Sequence, residues 1–200
     1  MTPGTRAQQR DRTRTALLEV SRRLFADQGY AAVGLAEIVR AAGVTKGALY
    51  HHFPGGKADL FRAVLAGVQA QVAATVAATA EAEDDPWTRL TAGCRAFLAA
   101  ATEPAVRRIM LVDGPAVLGW AEWRALDEAT SASHLGDALD GLVEAGVLAR
   151  QPVAPLTRLL SGAMNEAALW LAETGDPADL ADVVTALTRM LESLRTAPSA

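Results

Sequence analysis

The chain has 200 residues, of which half are hydrophobic and only 5% aromatic, and it contains one cysteine, Cys94. This length is enough for one or two domains with a core, and a single cysteine excludes an internal disulfide and suits a reducing compartment. Alanine, the best helix former, is abundant, and no run of alternating β-branched residues is present. The sequence therefore predicts an all-α protein.

The net charge of −4 conceals a strong asymmetry. Residues 1–57 hold nine Lys and Arg residues against four Asp and Glu residues, whereas the rest of the chain is acidic. A basic first quarter on an acidic body is typical of a DNA-binding module joined to a second functional unit. Charge alone is equally compatible with a solvated charged surface, and the helices that follow decide between the two.

The first helix is predicted over residues 10–28, and Gly29 ends it. One face of this helix is apolar, with Leu17, Val20 and Leu24. Residues 1–8 are predicted to be disordered, and because they are polar and basic, no signal peptide is expected there. Three arginines at the helix start form either a basic arm on the DNA backbone or a plain solvated helix start: Arg10, Arg12 and Arg14.

Residues 35–53 have the pattern of two short helices joined by a tight turn. The first has an apolar stripe at helical spacing, formed by Leu35, Ile38, Val39 and Ala42. Gly43 follows it, at a position where helix ends often need a positive φ, and Thr45 is a good N-cap for the second helix. Leu49 and Phe53 are four residues apart, so one face of the second helix is buried and the other is exposed.

The exposed face has the chemistry that a DNA major groove requires. Lys46 can reach a guanine edge or a phosphate, and Gly47 and Ala48 allow close approach, with the alanine methyl able to meet a thymine methyl. Tyr50 and His51 offer donors to phosphate oxygens. The pattern predicts a helix-turn-helix whose second helix reads DNA, with these DNA-binding residues: Arg14, Thr45, Lys46, Gly47, Ala48, Tyr50 and His51.

This part of the chain resembles the TetR family of transcriptional regulators. The resemblance is carried by residues 42–53 (AGVTKGALYHHF), 25–30 (FADQGY) and 57–60 (KADL). It implies a DNA-binding domain over residues 1–54, a ligand-binding and dimerisation domain over residues 55–200, and a phosphate contact from Lys57. A plain surface lysine is the alternative for Lys57. The family usually opens its second helix with Thr or Ser, whereas Val33-Gly34 stands there in this chain and offers no hydroxyl.

A long helix is predicted over residues 57–80, joining the two domains. Residues 63–80 carry no charge, but a membrane-spanning helix needs about 20 strongly apolar residues, and this stretch is rich in Ala, Gln and Thr, so an ordinary long helix is predicted. Asp85-Pro86 then starts a helix, as an acidic N-cap followed by proline. Cys94 on that helix is interpreted as a core residue, with a redox sensor as the alternative.

Four further helices are predicted over residues 104–112, 121–145, 155–173 and 177–195. The first is predicted to be interrupted at Asp113-Gly114-Pro115, and the second to kink near Ser131-Ala132-Ser133. The last two are joined by a short link and should pack antiparallel. Terminal hairpins of this kind commonly meet a second copy, and the resemblance implies the same. A homodimer is predicted, with a monomeric bundle as the alternative, and the interface residues are Leu156, Leu160, Ala163, Leu180, Val184, Leu187 and Leu191.

A ligand pocket is predicted between the long helix and the helices after it, because pockets are usually apolar with a few polar groups. The candidate ligand-binding residues, each of which could instead belong to the core or the interface, are Phe97, Met110, Trp120, Trp123, Asn165 and Trp170. No catalytic constellation or multi-cysteine site is recognisable, and the adjacent His51 and His52 point about 100° apart on a helix. No enzyme activity, cofactor or metal is therefore predicted.

The predicted function is that of a cytoplasmic, homodimeric regulator of transcription whose partner is double-stranded DNA, with no membrane association. From the resemblance, it is expected to be a repressor that a small, largely apolar effector releases from a palindromic operator. Two alternatives remain open. One is a ligand-independent DNA-binding or architectural protein with a filled body core, and the other is an enzyme that reuses a helical scaffold.

Overall fold

The computed structural model describes residues 6–174 and 176–196. Within these ranges the fold consists of α-helices and one π-helical turn, Arg108–Asp113, which confirms the all-α prediction. The helices are α1 (Arg6–Gln28), α2 (Leu35–Ala41), α3 (Lys46–His52), α4 (Lys57–Glu81), α5 (Pro86–Thr102), α6 (Pro104–Arg107), α7 (Gly114–Leu118), α8 (Trp120–Glu128), α9 (Ser131–Glu144), α10 (Val153–Thr174) and α11 (Pro177–Glu192).

The predicted disorder of residues 1–8 is wrong for part of that segment. Residues 1–5 lie outside the described residues, but Arg6, Ala7 and Gln8 form the first turn of α1. The sequence after residue 5 contains neither proline nor glycine before Gln28, so nothing in it ends the helix at the predicted start.

Helices α1, α2 and α3 form a three-helix head around a shared apolar core. Its fully or almost fully buried members are Leu17, Phe25, Ile38, Leu49 and Phe53. Gly29 and Gly43 have φ values of +81° and +65°, which side chains rarely adopt, and each follows the end of a helix. Gly34 is the N-cap of α2 and offers no side-chain cap, as expected.

Helix α4 connects the head to the body of the protein. Among the described helices it is the one long and apolar enough to cross a membrane by length and composition alone. Its buried side packs along α5, and near its start Arg62 forms an ion pair with Glu122 of α8. The core helices of soluble proteins pass the same test, so the observed packing supports the prediction of an ordinary long helix.

The chain does not break at Asp113-Gly114-Pro115, and that prediction is wrong. Asp113 and Gly114 keep right-handed helical dihedrals, and the helical path continues to Leu118, where Gly119 turns it with φ +79°. In a π-helix the carbonyl of Met110 would bond the N–H of residue 115, but Pro115 has none. The indole N–H of Trp123 donates to that carbonyl instead, at 2.7 Å.

The predicted helix over residues 121–145 is two helices, α8 and α9. Thr130 leaves the helical region with φ −132° and ψ −108°, and its hydroxyl donates to the carbonyl of Leu126 at 3.0 Å. The predicted kink at residues 131–133 is therefore the first turn of a new helix. Helix α8 contacts the π-helical turn through Trp123, whereas α9 packs on α4, α5 and α10.

Helices α10 and α11 close the body, and α11 packs on both α5 and α10. Helix α11 is shorter than predicted and ends at Glu192, because the chain then turns to form an isolated β-bridge between Arg195 and Leu148. This bridge also holds the loop after α9 in place.

Candidate nucleic-acid interface and ligand cavities

Helix α3 presents the predicted DNA-reading face to solvent. Thr45 is its N-cap, and the Thr45 hydroxyl accepts the backbone N–H of Ala48 at 3.2 Å, as expected for a capping threonine. Leu49 is completely buried. Of the other predicted DNA-binding residues on α3, four are exposed and Ala48 is half-buried; the exposed ones are Lys46, Gly47, Tyr50 and His51. The cap and the buried face together fix the orientation of the reading face.

A second basic surface, which we call the arginine stripe, lies beside α3. Arg6, Arg10 and Arg14 occupy i, i+4 and i+8 of α1, and they line an open pocket together with His52 of α3. The Arg14 guanidinium lies 5.5 Å from the centre of the Phe53 ring, which ties the stripe to the end of α3. Sequence reasoning selected Arg14 but missed Arg6 and His52, although the four-residue spacing was a usable signal.

The electrostatics of the stripe depend on His52. Burial, His51 and the cations of Arg10 and Arg14 all lower the pKa of His52, while Asp11 acts in the opposite direction. These effects favour the neutral form of the imidazole in the free protein. Bringing an anion such as a phosphate into the pocket would raise this pKa again.

Lys57 lies at the junction between the head and the body rather than free on the surface. Its ammonium group sits 4.0 Å from the centre of the Tyr30 ring, and burial lowers its pKa, opposed by the nearby Asp113. The backbone N–H of Tyr30 donates to Asp113 Oδ2 at 2.8 Å. The π-helical turn thus holds the head through Asp113, beside the Lys57 ammonium group.

The body contains an apolar cavity, with a volume of about 80 Å³, between α4, α5, α9 and α10. Phe97 lines it as predicted, next to Cys94, and the few polar groups in its wall include His134 and Ser161. Cys94 is buried, and this burial raises its pKa to about 12. A thiol with such a pKa is almost entirely protonated at neutral pH and unreactive, which fits a wall residue rather than a redox sensor.

The six predicted ligand residues do not form one site. Trp120, Trp123 and Asn165 line a separate surface groove between α8 and α10, which we call the tryptophan groove. Met110 is buried and lines none of the described cavities, and Trp170 lies partly exposed on α10. Apolar residues at helical spacing occur in the core, in cavity walls and on the surface alike. This pattern therefore cannot distinguish the positions of the six residues.

A buried ion pair separates the cavity from the groove. Arg124 Nη1 donates to Asp127 Oδ2 at 2.8 Å and to the Ser161 hydroxyl at 3.1 Å, and the two charged side chains are only 11% and 5% exposed. Burial raises the pKa of Asp127, opposed by Arg124 and by the hydrogen bond from Ser161. Ser161 lines the cavity and Arg124 lines the groove, so this network is shared by the walls of both.

Most of the predicted interface residues on α10 and α11 are buried or half-buried within one chain. Leu160, Leu187 and Leu191 belong to its buried core, and Leu156, Leu180 and Val184 are half-buried. Only Ala163 is exposed. We therefore assign the three leucines to the core and not to the interface, because the hairpin of α10 and α11 packs the faces that carry them on α5 and the rest of the body. The large apolar side chains left exposed on the hairpin are Leu159, Trp170 and Met190, at 72%, 45% and 53%.

No group of three or more His, Cys, Asp or Glu side chains that could hold a metal ion occurs among the described residues. His51 and His52 lie with their ring centres 5.5 Å apart in an edge-to-face arrangement. The candidate functional features thus include a basic surface on the head, and the apolar cavity and the tryptophan groove in the body.

Comparison with known proteins agrees with this division. Residues 17–64 match the family model described as bacterial regulatory proteins, tetR family, and residues 87–194 match a tetracyclin repressor-like C-terminal domain. The HTH-type transcriptional regulator LmrA of Bacillus subtilis is 37% identical over 86 residues, which are 43% of this chain and 44% of LmrA. The chain thus spans less than half the length of this curated relative.

Solved structures match over almost the whole chain. A TetR-family transcriptional regulator from Pectobacterium atrosepticum is 36% identical, covers 98% of this chain and 100% of its own, and superposes with a TM-score of 0.78. The structure of RolR in complex with resorcinol covers 92% of this chain and 90% of its own with a TM-score of 0.72, but at 22% identity it shows the fold alone. The chain belongs to the TetR family of transcriptional regulators.

Proposed function

We propose that this chain acts in the cytoplasm as a homodimeric, sequence-specific repressor that a small, largely apolar ligand releases from a palindromic operator. The observation that carries the proposal is the head surface, where the exposed face of α3 and the arginine stripe of α1 adjoin through His52. Side chains of α3 would read base edges, and the stripe would neutralise backbone phosphates.

Two such heads in a dimer would enter successive major grooves about 34 Å apart. A ligand can change this arrangement only if it binds the DNA-competent and incompetent forms with unequal affinity. The apolar cavity between α4, α5, α9 and α10 supports a ligand in the body, since α4 also reaches the head. A small aromatic ligand, resorcinol, is bound by the structural relative RolR.

Selection of operators from a random duplex library by the purified protein, at stated salt, tests the function. We expect recovery of a palindromic site whose half-sites lie about one helical turn apart. Titration of small apolar molecules against the selected complex then separates a ligand-controlled repressor from a ligand-independent DNA-binding protein. Enrichment of no sequence would contradict the proposal.

The dimer interface is proposed to cover the exposed apolar residues of the terminal hairpin. Replacing Leu159 and Met190 together with glutamate should convert the dimer to monomers in light scattering, because four charges would be buried across the two-fold axis. Val112→Glu is the matched control, since Val112 is also an exposed apolar residue but lies on the π-helical turn. An intact dimer with both charges present would place the interface elsewhere.

DNA binding should strengthen as the pH falls, and His52 should account for part of the change. Because the free protein lowers the pKa of His52 and a phosphate would raise it, the complex binds more protons than the free protein in the interval between the two pKa values. Each unit of difference adds up to about tenfold in affinity per protomer. His52→Gln should reduce this pH dependence at constant ionic strength, and an unchanged pH profile would remove His52 from the interface.

A further inference from the structure

The side-chain amide of Asn165 lies beside a surface groove and lacks hydrogen-bond partners. Asn165 is only 7% exposed, and neither its Oδ1 nor its Nδ2 has a hydrogen-bond partner among the described residues. Buried amides are nearly always paired, because an unpaired one loses its hydrogen bonds to water without replacement. An unpaired amide at this position calls for a partner that the described residues do not provide.

Asn165 lies in the wall of the tryptophan groove, whose volume is about 340 Å³. Trp120 is 68% exposed there, and its ring centre lies 4.9 Å from that of Trp123. The indole N–H of Trp123 is already used by the Met110 carbonyl. The groove therefore combines an exposed aromatic face with one buried, unused amide.

Two of the three charged residues that line the groove, Arg124 and Arg158, are paired within the protein, and the third, Glu166, is an exposed carboxylate. Arg124 bonds Asp127, and Arg158 lies 2.7 Å from Glu128 across the gap between α8 and α10. The two paired arginines therefore offer no net positive charge to an occupant, and the carboxylate of Glu166 repels an anion, which favours a neutral molecule over an anion.

We propose that the tryptophan groove is a second ligand site, distinct from the apolar cavity, for a flat, neutral molecule that carries a carboxamide-like group. Its ring stacks on Trp120. The Asn165 amide, whose oxygen and nitrogen are buried in the free protein, turns toward the groove to pair with the amide of the occupant, donor to acceptor in both directions. Leu111 and Pro115, which flank Asp113, also line the groove. An occupant therefore contacts the turn that holds Tyr30 of the head, and in this respect its effect on DNA binding rests on the function proposed above.

Fluorine NMR of protein labelled with 5-fluorotryptophan tests the site. The chain has four tryptophans, whose signals can be assigned by single Trp→Phe variants. Benzamide is the probe, and cumene, which has the same heavy-atom skeleton without the amide, is its control. We expect benzamide to shift the signals of Trp120 and Trp123 and to leave that of Trp87 unchanged, because Trp87 lies on α5 away from the groove.

Asn165→Leu should weaken benzamide binding by about tenfold or more and leave cumene binding unchanged or stronger. It should also keep or raise the thermal midpoint of unfolding, because it removes the unpaired amide. A lower midpoint together with unaltered benzamide binding would overturn the proposal. So would tryptophan signals that respond only to dilution of the protein, since a second copy of the chain would then cover the groove. Operator selection with the same preparation keeps the two questions apart: a protein that selects an operator but does not bind benzamide refutes the groove site alone.

Discussion

Replacing Arg124 with methionine should lower the free energy of unfolding by about 3–5 kcal/mol. Its guanidinium is the cation nearest to the Asp127 carboxylate, which is buried between α8 and α10. Methionine fills a similar volume but leaves the carboxylate without its cation, so the main loss is electrostatic. Chemical denaturation of the variant and the parent protein measures the difference.

The pH dependence of this loss identifies its origin. Without Arg124 the pKa of Asp127, already raised by burial, should rise further above its unfolded value. The stability of the variant is then fully present below the unfolded pKa of about 3.9 and is lost as the pH rises through the folded pKa. The difference from the parent should shrink on acidification. The double variant Arg124→Met with Asp127→Leu should recover most of the stability, and failure to do so would point to lost packing instead.

Replacing Arg10 and Arg14 together with glutamine should weaken binding to operator and random DNA alike. Each guanidinium that neutralises one phosphate contributes about 0.9 to the slope of log affinity against log salt. Two such residues in each protomer of a dimer would lower that slope by about 4. Binding titrations over a series of salt concentrations give the slope directly.

The matched control is the double variant Arg12→Gln with Arg23→Gln. It removes the same charge from exposed positions of the same helix, but at about 100° per residue these side chains point away from the arginine stripe. Its slope should stay close to that of the parent protein. Equal losses in both pairs would mean that net charge, rather than the stripe, determines the affinity.

Local signals explain why the head could be predicted closely from the sequence. The turn glycine Gly43, the N-cap Thr45 and the apolar pair Leu49 and Phe53 each act within a few residues of chain. The bounds of α2 and α3 and the burial of their inner faces follow from these interactions alone. The surface around the arginine stripe could be predicted only in part, because His52 lines the same pocket from a different helix.

In the body, local signals were overridden wherever a distant side chain supplied a bond. Asp113-Gly114-Pro115 is typical of a helix break, yet Trp123 satisfies the carbonyl that Pro115 leaves free, and the helical path continues. The division of α8 from α9 has a different origin, since it occurs at Thr130, whose hydroxyl donates to the carbonyl of Leu126 four residues before it. Apolar spacing continues across both positions and indicates neither outcome.

The sequence by itself determined that the chain is helical, that its first quarter is a basic helix-turn-helix, and that its last two helices form a hairpin. Those conclusions depend on periodicity, caps and charge, which act over short stretches of chain. Only the tertiary structure decided which apolar residues fill the core and which remain exposed, so Leu187 and Leu191 became core while Leu159 and Met190 stayed on the surface. It also separated Phe97 from Trp120 into two cavities, because the free volume of a bundle depends on how its helices pack together.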